Sequence, residues 1–149
     1  MIEVYRNTVE FIIPNRDRSG KEVDSKPVLT SLFEAIGAIG LGVSQRSEDG
    51  IWINSDGEAV CERNRVLRVS FSAPLWPEIV AVIMRFVALG VLELKQAELA
   101  LYVNGTLVIV SSDSDRNADV AKGAGVTSES DRIRTSEYVY TTLDGMNNF

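Results

Sequence analysis

The sequence predicts an α+β domain: a ferredoxin-like antiparallel sheet in the order β-α-β-β-α-β, with an extra hairpin strand and two helices on one face. Three observations predict it. Two helical stretches with apolar faces alternate with β-prone runs. Turn signatures, Asn54-Ser55-Asp56-Gly57 and Asn104-Gly105, each join a pair of such runs. Each apolar helix also needs a sheet face to cover, which one antiparallel sheet supplies for both. This topology rests on element order alone and points to no particular family.

Glu3 to Ile13 is rich in β-branched and aromatic residues, ends at Pro14, and reads as the first strand. Asn15 to Val23 is polar and reads as an exposed loop. Ser25 is placed as a helix N-cap, with Pro27 tolerated in the first turn because its missing N–H would be unpaired there. Val28, Leu29, Leu32, Phe33, Ile36 and Ile39 then recur at three- and four-residue spacing, giving a helix of about 14 residues. Gly37, Gly40 and Gly42 weaken its far end and stop it.

Ile51-Trp52-Ile53 and Ala59-Val60-Cys61 flank the first turn, and the strand runs on through Val66 to Phe71. Leu67, Val69 and Phe71 point one way; Val66, Arg68 and Ser70 point the other. Pro77 opens a second helix whose residues Ile79, Val80, Val82, Ile83, Met84, Phe86, Val87 and Leu89 make it apolar over most of its circumference. Such a helix is expected either inside the core or at a subunit contact. Gly90 is expected to end it. Glu98 to Val103 and Thr106 to Val110 flank Asn104-Gly105, the preferred two-residue type I′ hairpin turn.

From Ser111 to Thr135 the chain is dominated by Ser, Asp, Arg, Gly and Ala, too polar to offset its own ordering entropy. A β-prone island follows at 136–143. The expected division is a 1–112 α+β domain and a 113–149 polar extension.

The 149 residues, 45% hydrophobic and 24% charged, suffice for one core without disulfides. A net charge of −6 argues against a nucleic-acid binder, which needs a basic face. There is no histidine, which removes imidazole-based nucleophile systems and proton transfer. With a single cysteine in addition, no ordinary zinc site can form, and no cofactor is expected. The apolar run from Ile79 to Leu94 is broken by Arg85, Gly90 and Glu93, so no membrane span is expected. The start of the chain lacks a signal-peptide pattern, and a cytoplasmic location is expected.

Several clusters invite a functional reading. Gly37, Gly40 and Gly42 resemble a nucleotide loop but sit at a helix end, where backbone N–H groups are not free to cradle phosphate. Glu48, Asp49, Asp56, Glu58 and Glu62 gather around the first hairpin, in a spacing that matches no calcium loop. Asp113, Asp115 and Asp119 lack the glycine and terminal glutamate of such a loop and read as solubilising charge. Arg63 and Arg65 share one strand face, with Glu62 and Arg68 on the other. They suit recognition of a carboxylate or phosphate, or cross-strand ion pairing. Trp52 could anchor a ligand, and Trp76, Tyr138, Val139 and Tyr140 a partner. Cys61 reads as a small buried apolar residue.

The leading functional expectation is a non-catalytic protein-binding or assembly module, self-associating or binding another protein. It is motivated by the greasy helix, the exposed-edge hairpin and the tethered β-prone tail. The alternative is a small-molecule-binding or enzymatic ferredoxin-like domain using the sheet face left bare by the helices, with Glu62, Arg63, Arg65, Arg68 and Trp52 as its polar and aromatic groups. A second alternative is an acidic inhibitor or immunity-type protein.

Overall fold

The computed structural model describes residues 1–17, 19–53, 56–96 and 98–111. The elements are β1 (Asn7–Ile13), α1 (Lys26–Ala38), β2 (Ser44–Ile53), β3 (Ala59–Phe71), a 3₁₀ turn (Ala73–Leu75), α2 (Trp76–Leu92), β4 (Glu98–Val103) and β5 (Thr106–Ser111). The strands form one antiparallel sheet in the order β2-β3-β1-β4-β5. This is the α+β, ferredoxin-like arrangement the element order predicts, with β5 added as the outer strand of the last hairpin. The extension at 113–149, with Tyr138, Val139 and Tyr140, lies outside the described residues.

Strand alternation sorts the side chains onto two faces. Val9, Phe11 and Ile13 of β1, with Leu67, Val69 and Phe71 of β3 and Leu101 and Val103 of β4, are buried in one core with the helices. Val28, Leu29, Leu32 and Ile36 bring α1 onto that core; Ile79, Val80, Val82, Ile83 and Phe86 bring α2. Phe11 meets Phe86 edge-on, with ring centroids 5.2 Å apart, a geometry that adds to plain area burial. Trp76 is buried and stacks on Phe71 at 5.9 Å. The partner-anchor reading of Trp76 therefore gives way to core packing.

Several boundaries differ from the sequence reading for identifiable reasons. β1 begins at Asn7, not Glu3, because its partner β3 ends at Phe71, directly across from Asn7. β2 begins at Ser44, ahead of the apolar residues Ile51–Ile53. Its residues are exposed on both faces apart from half-buried Gly50, so backbone pairing with β3 holds it and no apolar alternation marks it. Cys61 is exposed, since the β2–β3 hairpin runs out past the cover of the helices. Ser25 stands at the N-cap position of α1 but makes no side-chain cap bond; instead Lys26 N–H donates to Asp24 Oδ1 at 3.0 Å.

The second turn forms as its residues dictate, with Asn104 at φ 49° and Gly105 at φ 79°. Asn104 also ties the hairpin to β1. Its N–H donates to the Thr8 carbonyl at 2.9 Å, and Thr8 N–H donates to its Oδ1 at 2.8 Å.

Residues 73–92 are long and apolar enough, by length and composition alone, to cross a membrane. Seven residues of α2 are nonetheless buried against the domain's own sheet and α1, which accounts for its greasiness as that of a core helix. Gly90 does not end α2, which continues to Leu92. Gly90 is buried, and a Cβ there would lie 2.3 Å from Leu99 Cδ1, so its bare Cα is the notch that admits Leu99. Gly90→Ala is expected to destabilise the domain by about 1–2 kcal/mol, overpacking outweighing the gain in helix propensity. Chemical denaturation should show the loss, and Leu99→Ala in the Gly90→Ala background should cost less than Leu99→Ala alone.

Candidate ligand-binding cleft

Among the described residues, the helices cover one face of the sheet and leave the other bare. On the bare face, beside the C-terminal end of β1, lies an open cleft of about 670 Å³, within the usual range for small-molecule sites. Its apolar lining comes from Ile12 of β1, Val60 of β3, Ala100 of β4 and Ile109 of β5. One wall is the β2–β3 hairpin, with Trp52, Glu62 and Asn64; the opposite rim is the loop after β1, with Arg16, Asp17 and Ser19. Gln96 and Glu98 close the side nearest β4.

The rim loop is held by its own polar groups. Asp17 Oδ1 accepts from Ser19 N–H at 2.8 Å, Ser19 Oγ–H at 2.6 Å and Lys21 N–H at 3.0 Å, the local turn chemistry short carboxylates favour. Arg16 Nη1 donates to the Gly20 carbonyl at 2.9 Å. Gln96 Nε2 donates to the Leu94 carbonyl at 2.8 Å and to the Arg16 carbonyl, linking the rim to the α2–β4 connection.

Three carboxylates among the described residues are half-buried: Glu10, Asp17 and Glu62. Glu10 pairs with Arg46 at 2.9 Å, and Arg46 also reaches Glu48 at 3.1 Å. Hydrogen bonds to these two carboxylates, Glu10 first, push the Arg46 pKa further above its ordinary value. Asp17 is occupied by its loop. Glu62 alone has no hydrogen-bond or ion-pair partner among the described residues, and Gly50, directly across from it on β2, brings no side chain to it.

The structure thus places Trp52 and Glu62 together in the cleft and separates them from the arginines grouped with them in the sequence. Arg63 and Arg65 point to the opposite face. Arg63 lies 3.9 Å from Asp49, both well exposed, and Arg65 Nη1 donates to Gln45 Oε1 at 3.4 Å. Arg68 is on the bare face but outside the cleft, across from Glu10 and Ser44. Arg63 and Arg65 thus share one face of β3, as the alternation predicts, but that face is not the one that carries the cleft. Sequence reasoning missed Arg16, Asp17, Asn64 and Gln96. The Asp17-x-Ser19-Gly20 turn pattern was a legible signal for the rim; the others meet only through folding. No group of three or more metal-ligating side chains occurs among the described residues.

Fold and cleft together define a ferredoxin-like domain with a small-molecule-sized site on its bare sheet face. Among solved structures the chain is similar to a phage SAM lyase in complex with S-methyl-5'-thioadenosine, at 9% identity and a TM-score of 0.53, over 74% of this chain and 95% of that one. The apo phage SAM lyase aligns over the same shares at 10% identity and a TM-score of 0.47. No protein family and no curated protein matches the sequence. The likeness establishes the fold. It also corrects the expectation of a non-catalytic assembly module: a solved neighbour with this architecture is a SAM lyase, and seven residues of the greasy helix offered for contact are buried in the domain's own core.

The hydrogen bond from the Ser19 hydroxyl outweighs the opposing effect of burial and, helped by the Lys21 and Ser19 backbone N–H groups, holds the Asp17 carboxyl below its ordinary value of 3.8. A depressed carboxylate stabilises the folded loop above its unfolded pKa, and that contribution is lost as pH falls through the lowered folded value. An NMR titration of the Asp17 carboxyl carbon should give a midpoint below 3.8, and Ser19→Ala should move it upward.

Proposed function

We propose that this chain is a small-molecule-binding domain of enzymatic type, and that the cleft on its bare face takes an adenosine-type ligand. The observation that carries the reading is the cleft itself: a flat apolar lining and an indole with carboxylates at its edge. Ile12, Val60, Ala100 and Ile109 suit the face of a base, and Trp52 can stack on it. The carboxylates of Glu62 and Glu98 can accept from ribose hydroxyls or amino groups. The likeness in fold to a SAM lyase holding S-methyl-5'-thioadenosine is what favours this ligand class over other flat molecules.

Without histidine, proton transfer in this site would fall to carboxylates, and rate enhancement would come mainly from positioning and fixed charge. An exposed free thiol at Cys61 is compatible with work in the reducing cytoplasm.

Thermal unfolding with added S-methyl-5'-thioadenosine tests the reading. Ligand at about a hundredfold over its Kd should stabilise the wild-type chain by about 2.7 kcal/mol, a rise of several degrees in Tm. Ala100→Phe, which fills the cleft, should abolish the rise, while Arg65→Ala on the opposite face should keep it. No shift in the wild type at millimolar ligand, or an undiminished shift in Ala100→Phe, would overturn the assignment.

A further inference from the structure

A half-buried carboxylate with no partner costs desolvation energy that pairing or hydrogen bonding normally offsets. Glu10 and Asp17 are offset in this way, by Arg46 and by the rim loop. Glu62 is not. The residue across from it is Gly50, and its diagonal cross-strand neighbours on the same face are Trp52, toward the hairpin turn, and Glu48, which is paired with Arg46. Cross-strand diagonals of this kind lie about 7–8 Å apart, within reach of an aromatic side chain. Trp52 is half exposed, at 51%, so its indole is open to a ligand. Among the described residues, the other charges lining the cleft are Arg16, Asp17 and Glu98. Arg16 is the one cation among these, and its guanidinium is engaged with the Gly20 carbonyl.

An unpaired carboxylate beside an open indole, in an acidic cleft, is complementary to a weakly hydrated positive charge. The carboxylate supplies the counter-charge and the ring face supplies its quadrupole. The same field opposes phosphates and other anions. We infer that Glu62 and Trp52 form a recognition pair for an organic cation, an onium centre carried by the ligand of the cleft. The inference rests on the cleft being the ligand site, and it assigns within it the residues that read charge.

The test compares S-adenosylmethionine with S-adenosylhomocysteine, which differ by one methyl group and the sulfonium charge, by calorimetric titration of the full chain. The wild type should bind the sulfonium about tenfold more tightly, a preference that shrinks with added salt. Glu62→Gln and Trp52→Leu should each reduce the ratio several-fold. Because both side chains also face the base and ribose, each should weaken neutral S-methyl-5'-thioadenosine as well, but by several-fold less than the sulfonium, and neither should lower the ligand-free Tm, as expected for an unpartnered and an exposed side chain. Equal binding of the two ligands by the wild type, or a ratio untouched by Glu62→Gln, would overturn the pair while leaving the cleft assignment standing. Failure of the wild type to bind any of the three compounds would overturn both.

Discussion

Central strand β1 serves two faces and two neighbours at once, and the domain depends on that arrangement. It pairs with β3 through seven residues, Asn7 to Ile13, and with β4 through Val9 to Phe11. Its odd-numbered residues Val9, Phe11 and Ile13 enter the helix-covered core, while Thr8, Glu10 and Ile12 are left on the bare face. Phe11 meets Phe86 of α2 on the first side; Ile12 lines the cleft on the second. A one-residue slip in this strand would exchange the two sets. The Asn104 clamp on Thr8 and the Asn7–Phe71 rung set its register at one end.

Covering only one face has a chemical consequence. Seven residues of α2 are buried against the sheet and α1, so most of its large apolar side chains serve the domain's own core. The opposite face is left with mixed side chains that need other means of burial. Over its middle, the Glu10–Arg46–Glu48 group supplies ion pairs, and Val66, across from Arg46, is buried there. Toward the C-terminal end of β1 no such group forms, and the face opens into the cleft. The overhanging β2–β3 hairpin and the rim loop raise walls on either side of an apolar lining.

Much of the fold was legible. Asn104-Gly105 identified its hairpin because few residues other than these accept positive φ at both turn positions. The stripe from Val28 to Ile36 identified α1, and Leu67, Val69 and Phe71 identified the core face of β3, because burial on one side imprints a period. Where burial left no imprint the reading failed. Ser44 to Asp49 is an exposed edge held by backbone pairing and polar surface contacts, with no apolar alternation to mark it, and Gly90 looks like a helix stop although its missing side chain is a packing notch for Leu99. Cys61 lies on the core-side face of β3, yet the hairpin has passed beyond the helices by that point.

The sequence by itself determined the element order, the class of fold and the exclusion of imidazole chemistry, since these follow from local periodicity, turn chemistry and the absence of a residue type. It also put Glu62 and Arg68 on one face of β3 and Arg63 and Arg65 on the other. Tertiary structure alone decided which of those residues share a site. The cleft joins Ile12, Asp17, Glu62, Gln96 and Ile109 from five separate segments. Whether a carboxylate is paired depends on neighbours brought in across strands: Arg46 reaches Glu10, and Gly50 leaves Glu62 alone. Charge pairing is a property of three-dimensional neighbours, and no spacing along the chain encodes it.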